Sequence, residues 1–356
     1  MNNTDSSIQR TLFGEEVKKY TLHTEKNDEI TYFTNEEIME DIVENWKVYP
    51  SLEEFISNII DIPSAKYQFN RLCQGYNNEG YNISLLFNPH RLLIPTWKEK
   101  GIWYGFQNDV KYHIQFARYL VNVQKKIPPS PYYHKIMGVG HKGYMYVQEF
   151  PPYLARDIYK IYCEDGDKIL NPCAGWGGRL IGLASCMFND IEYWETDPST
   201  KTFEGLVKLK EFLRLGDNYK QFHLPFEELE VPEDYFDFVF TSPPYFDTER
   251  YSKEPTQSYV GHKTYEDWRD NFLFPMLDKI MYTMNDRGVC LLNVGKNRFP
   301  IDKDIQEYML GEYGIRTSFV DEFKQRLDVN NDGSNKETRY ERHNGGESFV
   351  EFSKKV

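Results

Sequence analysis

From about residue 150 onward, short apolar runs alternate with longer amphipathic ones, and this rhythm restricts the chain to few architectures. Residues 167–170, 191–195, 236–240, 288–294 and 348–353 read as strands. Residues 153–162, 179–187 and 203–215, and a longer stretch from 264 to about 284, carry apolar residues at helical intervals. Strands separated by helices of this length cannot form tight hairpins. They imply an α/β sheet whose connecting helices cover both faces.

The first part of the chain follows no such rhythm. Residues 1–30 are polar with little periodicity and read as a loose arm. Thr34-Asn35-Glu36-Glu37 and Ser51-Leu52-Glu53-Glu54 both have capping-box spacing ahead of apolar residues, which predicts two short helices within 35–62. Pro128-Pro129-Ser130-Pro131 and the glycines at 138, 140 and 143 mark a long loop or a joint. The expected organisation is an accessory region over 1–148 and an α/β domain over 149–356.

Charge is unevenly placed. The chain of 356 residues has a net charge of −13, yet residues 87–148 hold nine Lys/Arg against only Glu99 and Asp109. Aromatic residues make up 16% of the chain, and many lie in that basic stretch, among them Trp97, Trp103, Tyr104, Tyr112, Tyr132, Tyr133 and Tyr144. Lysines meet phosphates and rings stack on bases, so the stretch is a candidate nucleic-acid contact; an aromatic core ringed by solvated lysines is the plain alternative. No apolar run reaches the roughly 18 residues of a membrane span. Five scattered cysteines without a Cys-x-x-Cys argue against a disulfide framework or a zinc site, and a reducing cytoplasm is expected.

Three motifs carry chemistry. Asn171-Pro172-Cys173-Ala174-Gly175-Trp176-Gly177-Gly178 follows the first strand of the α/β region and opens a helix. Glycines there let the backbone approach a ligand closely. The spacing is neither that of a dinucleotide fingerprint nor that of a phosphate loop. Glu195-Thr196-Asp197-Pro198 ends the next strand, where an acid can accept the hydroxyls of a ribose. Glu195 is the first candidate and Asp197 the second. Thr241-Ser242-Pro243-Pro244-Tyr245 follows the strand at 236–240. Its two prolines stiffen the backbone and remove two donors, which leaves carbonyls and the Ser242 hydroxyl as expected acceptors for an amine. The Tyr245 ring offers a stacking face for a base.

The order Phe150-Pro151-Pro152, then the glycine turn, then Glu195, then Ser-Pro-Pro-Tyr resembles the amino-methyltransferases of DNA that act on N4 of cytosine or N6 of adenine. The resemblance covers roughly 150–300. It implies a Rossmann-like methyltransferase fold, with a mostly parallel seven-stranded sheet and one antiparallel strand. S-adenosyl-L-methionine is the implied cofactor. Phe150, Pro151, Asn171, Cys173, Ala174, Gly175 and Gly177 would hold its methionine part, and Glu195 with Thr196 its ribose. Ser242, Pro243, Pro244 and Tyr245 would hold the target amine, with cytosine favoured over adenine because Ser stands first in the motif. The implied partner is DNA with a base flipped into the site. RNA, a nucleotide or a protein amide is the alternative target, as is transfer of a larger group. A silent nucleic-acid-binding protein is the alternative of another class.

Two features depart from the family pattern. The stretch from Gln221 to Glu227 lacks the acid expected to meet the cofactor's adenine, leaving backbone groups or Phe226 for that contact. Only about 65 residues separate the glycine turn from Ser242, so target recognition must come from the N-terminal part, the loop at 246–263 or the C-terminal stretch. Asp328-Val329-Asn330-Asn331-Asp332-Gly333 matches half of a calcium loop, but Arg339 stands where the closing Glu belongs, and a polar loop is expected instead. No metal site is expected.

Overall fold

A computed structural model describes residues 20–23, 30–33, 51–77, 79–95, 101, 103–104, 147, 149–248, 250–294, 299–320 and 348–354. The half calcium loop and most of the basic stretch lie outside these residues. Tyr20–His23 (β1), within the segment expected to be a loose arm, pairs antiparallel with Ile30–Phe33 (β2) at that segment's end.

The central sheet contains Lys168–Asn171 (β3), Glu192–Thr196 (β4), Tyr219–Phe222 (β5), Phe236–Thr241 (β6), Met284–Val294 (β7), Ser318–Phe319 (β8) and Ser348–Ser353 (β9). Its order is β5-β4-β3-β6-β7-β9-β8. Strands β3 to β7 pair in parallel, while β9 runs antiparallel to both β7 and β8. The sheet therefore has seven strands with one reversed, the Rossmann-like methyltransferase arrangement that the motif order implies. The short strands β5 and β8 were not legible: β5 is the half-buried Tyr-Lys-Gln-Phe, and β8 has two exposed residues.

Alternation along the strands builds two cores, since successive side chains point to opposite faces. Ile169, Tyr193, Phe238, Phe240 and Phe349 face one side and join Leu154, Ile158, Leu180, Ile181 and Leu206. Leu170, Val239, Leu292, Val350 and Phe352 face the other and join Trp268, Leu273, Leu277, Ile280 and Ile305. The helices on the first side are Pro152–Tyr162 (α4), Gly178–Cys186 (α5) and Thr200–Leu213 (α6). On the second side, Tyr265–Trp268 (α7) passes through a single π turn into Phe274–Thr283 (α8), and Ile301–Tyr313 (α9) follows β7.

Among the described residues three helices precede α4: Leu52–Ile59 (α1), Ile62–Cys73 (α2) and Tyr81–Phe87 (α3). Ser51 caps α1 through the predicted box, accepting the Glu54 N–H at 3.1 Å. Asp61 caps α2 by accepting the Ser64 N–H at 2.8 Å, with Pro63 in the first turn. Phe55, Ile60, Leu72, Ile83, Leu85 and Leu92 from this region are buried in the first core. Arg156 of α4 fastens the seam by donating to the Leu72 and Tyr76 carbonyls at 2.9 and 3.1 Å.

Candidate active site

The sheet order changes direction between β3 and β6. Connections from β3 go to one side and those from β6 to the other, so a crevice opens past the carboxyl ends of these two neighbours. Ligands of open α/β sheets bind at such a point. The glycine turn leaves β3 and the Ser-Pro-Pro-Tyr loop leaves β6, so both motifs line it. Thr241 ties them: its Oγ1 accepts the Cys173 N–H at 3.1 Å and donates to the Cys173 carbonyl at 3.3 Å.

Arg179, in the first turn of α5, makes the second tie. Its side chain runs back under the glycine turn. Nε donates to Asn171 Oδ1 at 3.2 Å, Nη2 to the Cys173 carbonyl, and Nη1 to Ser242 Oγ at 3.0 Å. The guanidinium lies 5.6 Å from the Phe150 ring and 5.7 Å from that of Phe240. Arg179 is 4% exposed, and among the described residues all its hydrogen-bond acceptors are neutral. A buried cation with no carboxylate in contact needs several well-placed dipoles. Here those dipoles belong to both motif loops, so its charge draws the two together.

The glycine turn has the backbone that its sequence demands. Gly175 and Gly177 have φ of +60° and +94°. A Cβ on Gly177 would lie 2.4 Å from Leu209 Cδ2, whereas among the described residues one on Gly175 would meet only the end of Arg179 at 3.9 Å. Gly177 is thus needed for packing, and Gly175 borders open space. Asn171 is fully buried and donates to the Tyr193 hydroxyl at 2.9 Å. Ala174 is also buried, and its N–H reaches the Thr196 carbonyl at 2.9 Å. Cys173 lies beside Thr241, and burial pushes its thiol up to about 12, which keeps it protonated at neutral pH.

The two acids at the carboxyl end of β4 differ in availability. Glu195 is 1% exposed and accepts from the Tyr193 hydroxyl at 2.9 Å and from Gln221 Nε2 at 2.7 Å. Asp197 is partly exposed; its oxygens accept the Gly175 N–H at 3.1 Å and the Ser199 N–H at 2.9 Å. Burial pushes Asp197 up to about 7, opposed by those two N–H groups. Thr196 is buried and bonds to the Leu224 carbonyl at 2.7 Å. Phe226 turns into the second core, 3% exposed, with Lys279 5.2 Å above its ring.

In the second loop Ser242 is half-buried and Pro243 buried. The Tyr245 hydroxyl donates to the Asn293 carbonyl at 3.2 Å, fixing the ring beside β7. The next residue, Phe246, has φ +54°, a strained value for a residue with a side chain. An aromatic box holds it there: its ring lies 6.2 Å from Tyr265, 6.0 Å from Trp268 and 5.3 Å from Phe299.

The region before the sheet forms another wall. Asn88 Nδ2 donates to the Trp176 carbonyl at 3.1 Å, and the His90 ring meets Trp176 edge-on at 5.3 Å. Burial, with Lys201 and Arg91 nearby, pushes His90 down to about 4, so it is neutral at physiological pH. Tyr251 from the following loop reaches Trp176 at 5.7 Å. Glu254 accepts the Thr200 N–H at 3.2 Å, fixing that loop to the start of α6. Asn88, His90, Arg91, Glu149 and Arg179 were not singled out from sequence. Only Arg179 carried a local signal, as a charge one residue past the glycine turn where a buried helix begins. Of the basic stretch, Arg91 is consumed in an internal ion pair with Glu149, and Trp103 packs at 4.9 Å on Phe55.

No family model matches the chain, and no curated protein matches it. Solved structures resemble part of the chain at low identity. An rRNA methylase from Streptococcus thermophilus is 11% identical over 58% of this chain and 98% of its own, with a TM-score of 0.37. TYW2 of P. horikoshii, solved with MeSAdo, is 12% identical over 58% of this chain and 63% of its own, at 0.36. A TehB-like SAM-dependent methyltransferase from Corynebacterium glutamicum is 15% identical over 56% and 86%, at 0.35. A functional reading therefore rests on this chain's own residues.

Proposed function

We propose that the chain is an S-adenosyl-L-methionine-dependent methyltransferase that modifies the exocyclic amine of a nucleic-acid base, with DNA as the substrate and cytosine N4 favoured over adenine N6. The observation that carries this reading is the joining of the glycine turn to the Ser-Pro-Pro-Tyr loop through Thr241 and Arg179, across the crevice between β3 and β6.

The residues of the turn fit the cofactor. Open space at Gly175 admits a ligand against bare backbone. Asp197, partly exposed at the end of β4, is the better acceptor for a ribose diol, because the Glu195 carboxylate is committed to Tyr193 and Gln221. Glu195 and Thr196 then shape the strand end that presents Asp197. Phe150 lies beside Arg179 and forms a wall for the methionine part, with Pro151 starting α4 behind it. When bound, the cofactor supplies a methyl group made electrophilic by a sulfonium.

The protein's part is orientation. Among the described residues no donor meets the Pro243 carbonyl, so it is available to accept an amine N–H. The Tyr245 ring and the strained Phe246 hold the loop in one shape, so little reorganisation remains when the target arrives. A duplex base must first be flipped out, which costs a few kcal/mol, and stacking offsets part of that. The amine nitrogen gains the methyl and loses its proton to solvent.

Labelled-methyl transfer to mixed-sequence DNA, with an RNA arm and nucleoside mass spectrometry of the product, tests the reading. The wild type should label DNA, and Ser242→Ala should lose most of that activity while still binding cofactor. Equal labelling by both would remove Ser242 from the site, and labelling of RNA alone would move the substrate.

A further inference from the structure

Building on the proposed base-methylating activity, we infer that Ser242 acts as a hydrogen-bond donor to the target, recognising the ring nitrogen beside the exocyclic amine, and that Arg179 sets this polarity. A hydroxyl has one proton and two lone pairs. Ser242 Oγ already receives Arg179 Nη1 at 3.0 Å and Asn293 Nδ2 at 3.3 Å. A guanidinium can only donate, so the direction of the shorter bond is fixed by chemistry. With both lone pairs engaged, what Ser242 retains for a ligand is its O–H. Its sequence-based role as an acceptor for the amine therefore passes to the Pro243 carbonyl.

This arrangement reads a pattern. Cytosine N4 lies next to the unprotonated ring N3, and adenine N6 next to the unprotonated N1. Each base presents an N–H donor and a ring acceptor side by side. The Pro243 carbonyl and the Ser242 hydroxyl, adjacent on a loop stiffened by two prolines, present the complementary acceptor and donor. Arg179 is then a positioning residue: it touches no substrate atom but holds the Ser242 proton outward, and its Nη2 reaches the cofactor turn at Cys173.

The test is substitution of a single atom in the substrate. Once the labelled base is known, oligonucleotides carry either that base or its deaza analogue, with the adjacent ring nitrogen replaced by C–H (3-deazacytosine or 1-deazaadenine). The substitution removes the acceptor while making the amine intrinsically more nucleophilic, so a slower reaction cannot come from the amine itself. For the wild type the analogue should react roughly 10- to 100-fold more slowly, the usual consequence of leaving one buried partner unmatched. In Ser242→Ala that ratio should collapse toward one. Ser242→Thr, which keeps the hydroxyl, should restore the ratio, and Arg179→Lys should shrink it.

Equal rates for normal and deaza base with the wild type would overturn this inference and leave the methyltransferase reading intact. A ratio that persists in Ser242→Ala would also overturn it. No labelling of the normal base, in DNA or RNA, would instead sink the methyltransferase reading, and the inference with it.

Discussion

Glu149 Oε1 accepts the Gly178 N–H at 2.8 Å, so the first free amide of α5 is met from inside the protein by a residue that precedes the sheet. The other oxygen of Glu149 accepts from Arg91 Nη1 at 2.8 Å, and both side chains are almost fully buried. An anion at a helix N-terminus is favoured by the unsatisfied amides and the helix dipole. Glu149 thereby ties the segment at 88–94 and the approach to α4 to the glycine turn.

Arg91→Met therefore strands a buried carboxylate. Removing one partner of such a pair costs about 3–5 kcal/mol, whereas replacing both costs far less. Urea denaturation should show Arg91→Met strongly destabilised and Arg91→Met/Glu149→Gln recovering much of the loss. Burial already pushes the Glu149 carboxyl up, with Arg91 acting against it. Without Arg91 the ionised form is unsupported, so the variant's deficit should be small in acid and grow as pH rises. A deficit independent of pH would mean that packing, not charge, dominates.

Arg179 and Ser242 should separate in kinetics. Arg179 bonds to both loops, so Arg179→Lys should weaken cofactor binding and slow transfer, each by roughly tenfold or more, given about 1.5–3 kcal/mol per hydrogen bond to a charged group. Ser242→Ala removes one acceptor of Arg179 but leaves its bonds to Asn171 and Cys173, so transfer should slow with cofactor affinity little changed. Calorimetric titration of cofactor beside single-turnover transfer would separate the two. Unchanged cofactor affinity in Arg179→Lys would show that the ties to Asn171 and Cys173 are dispensable.

Periodicity made β3, β4, β6, β7 and β9 legible because each alternates apolar residues or buries both faces, as in Phe236-Asp237-Phe238-Val239-Phe240. The same signal is nearly absent in β5 and β8, which are short edge-side strands with little buried surface. The glycine turn and the Ser-Pro-Pro-Tyr loop were legible as residue types because glycines and prolines act locally, on the backbone they belong to. The ties between them were not. Arg179 to Ser242 spans 63 positions and Arg91 to Glu149 spans 58, and no local pattern marks a charge that will be buried by partners so distant. The environments that separate Glu195 from Asp197 were hidden for a related reason. Nearness to the strand end is visible in sequence, but the capture of Glu195 by Tyr193 and Gln221 depends on the register of β4 against its neighbours.

Asp197 should make cofactor binding depend on pH. Burial raises its carboxyl to about 7, so folding favours the protonated form. The sign follows: its contribution to stability is present below the ordinary carboxylate range and is lost as pH climbs through about 7. Ligand binding runs the other way, because a ribose diol donates and the ionised carboxylate is the stronger acceptor. Cofactor affinity should rise between about pH 6 and 8, and Asp197→Asn should weaken it and flatten that rise. A wild-type affinity flat across this range would return the ribose contact to Glu195 or to backbone groups.

The two glycines of the turn provide the last separation. Both have positive φ, so alanine at either costs about 1–2 kcal/mol in backbone strain alone. Beyond that cost they diverge. A methyl group on Gly177 would collide with Leu209 at 2.4 Å and Leu206 at 3.1 Å, both in the first core, so Gly177→Ala should lose several kcal/mol in total and show it in thermal melts. Among the described residues a methyl group on Gly175 meets no packed atom, so Gly175→Ala should melt lower by no more than that strain cost. It would, however, project into the space where a ligand has to lie against the turn. Cofactor binding should therefore fall at least tenfold in Gly175→Ala despite an intact fold, since loss of about 1.4 kcal/mol already reaches that factor. If Gly175→Ala bound cofactor normally, the crevice between β3 and β6 would have to hold its ligand somewhere other than this turn.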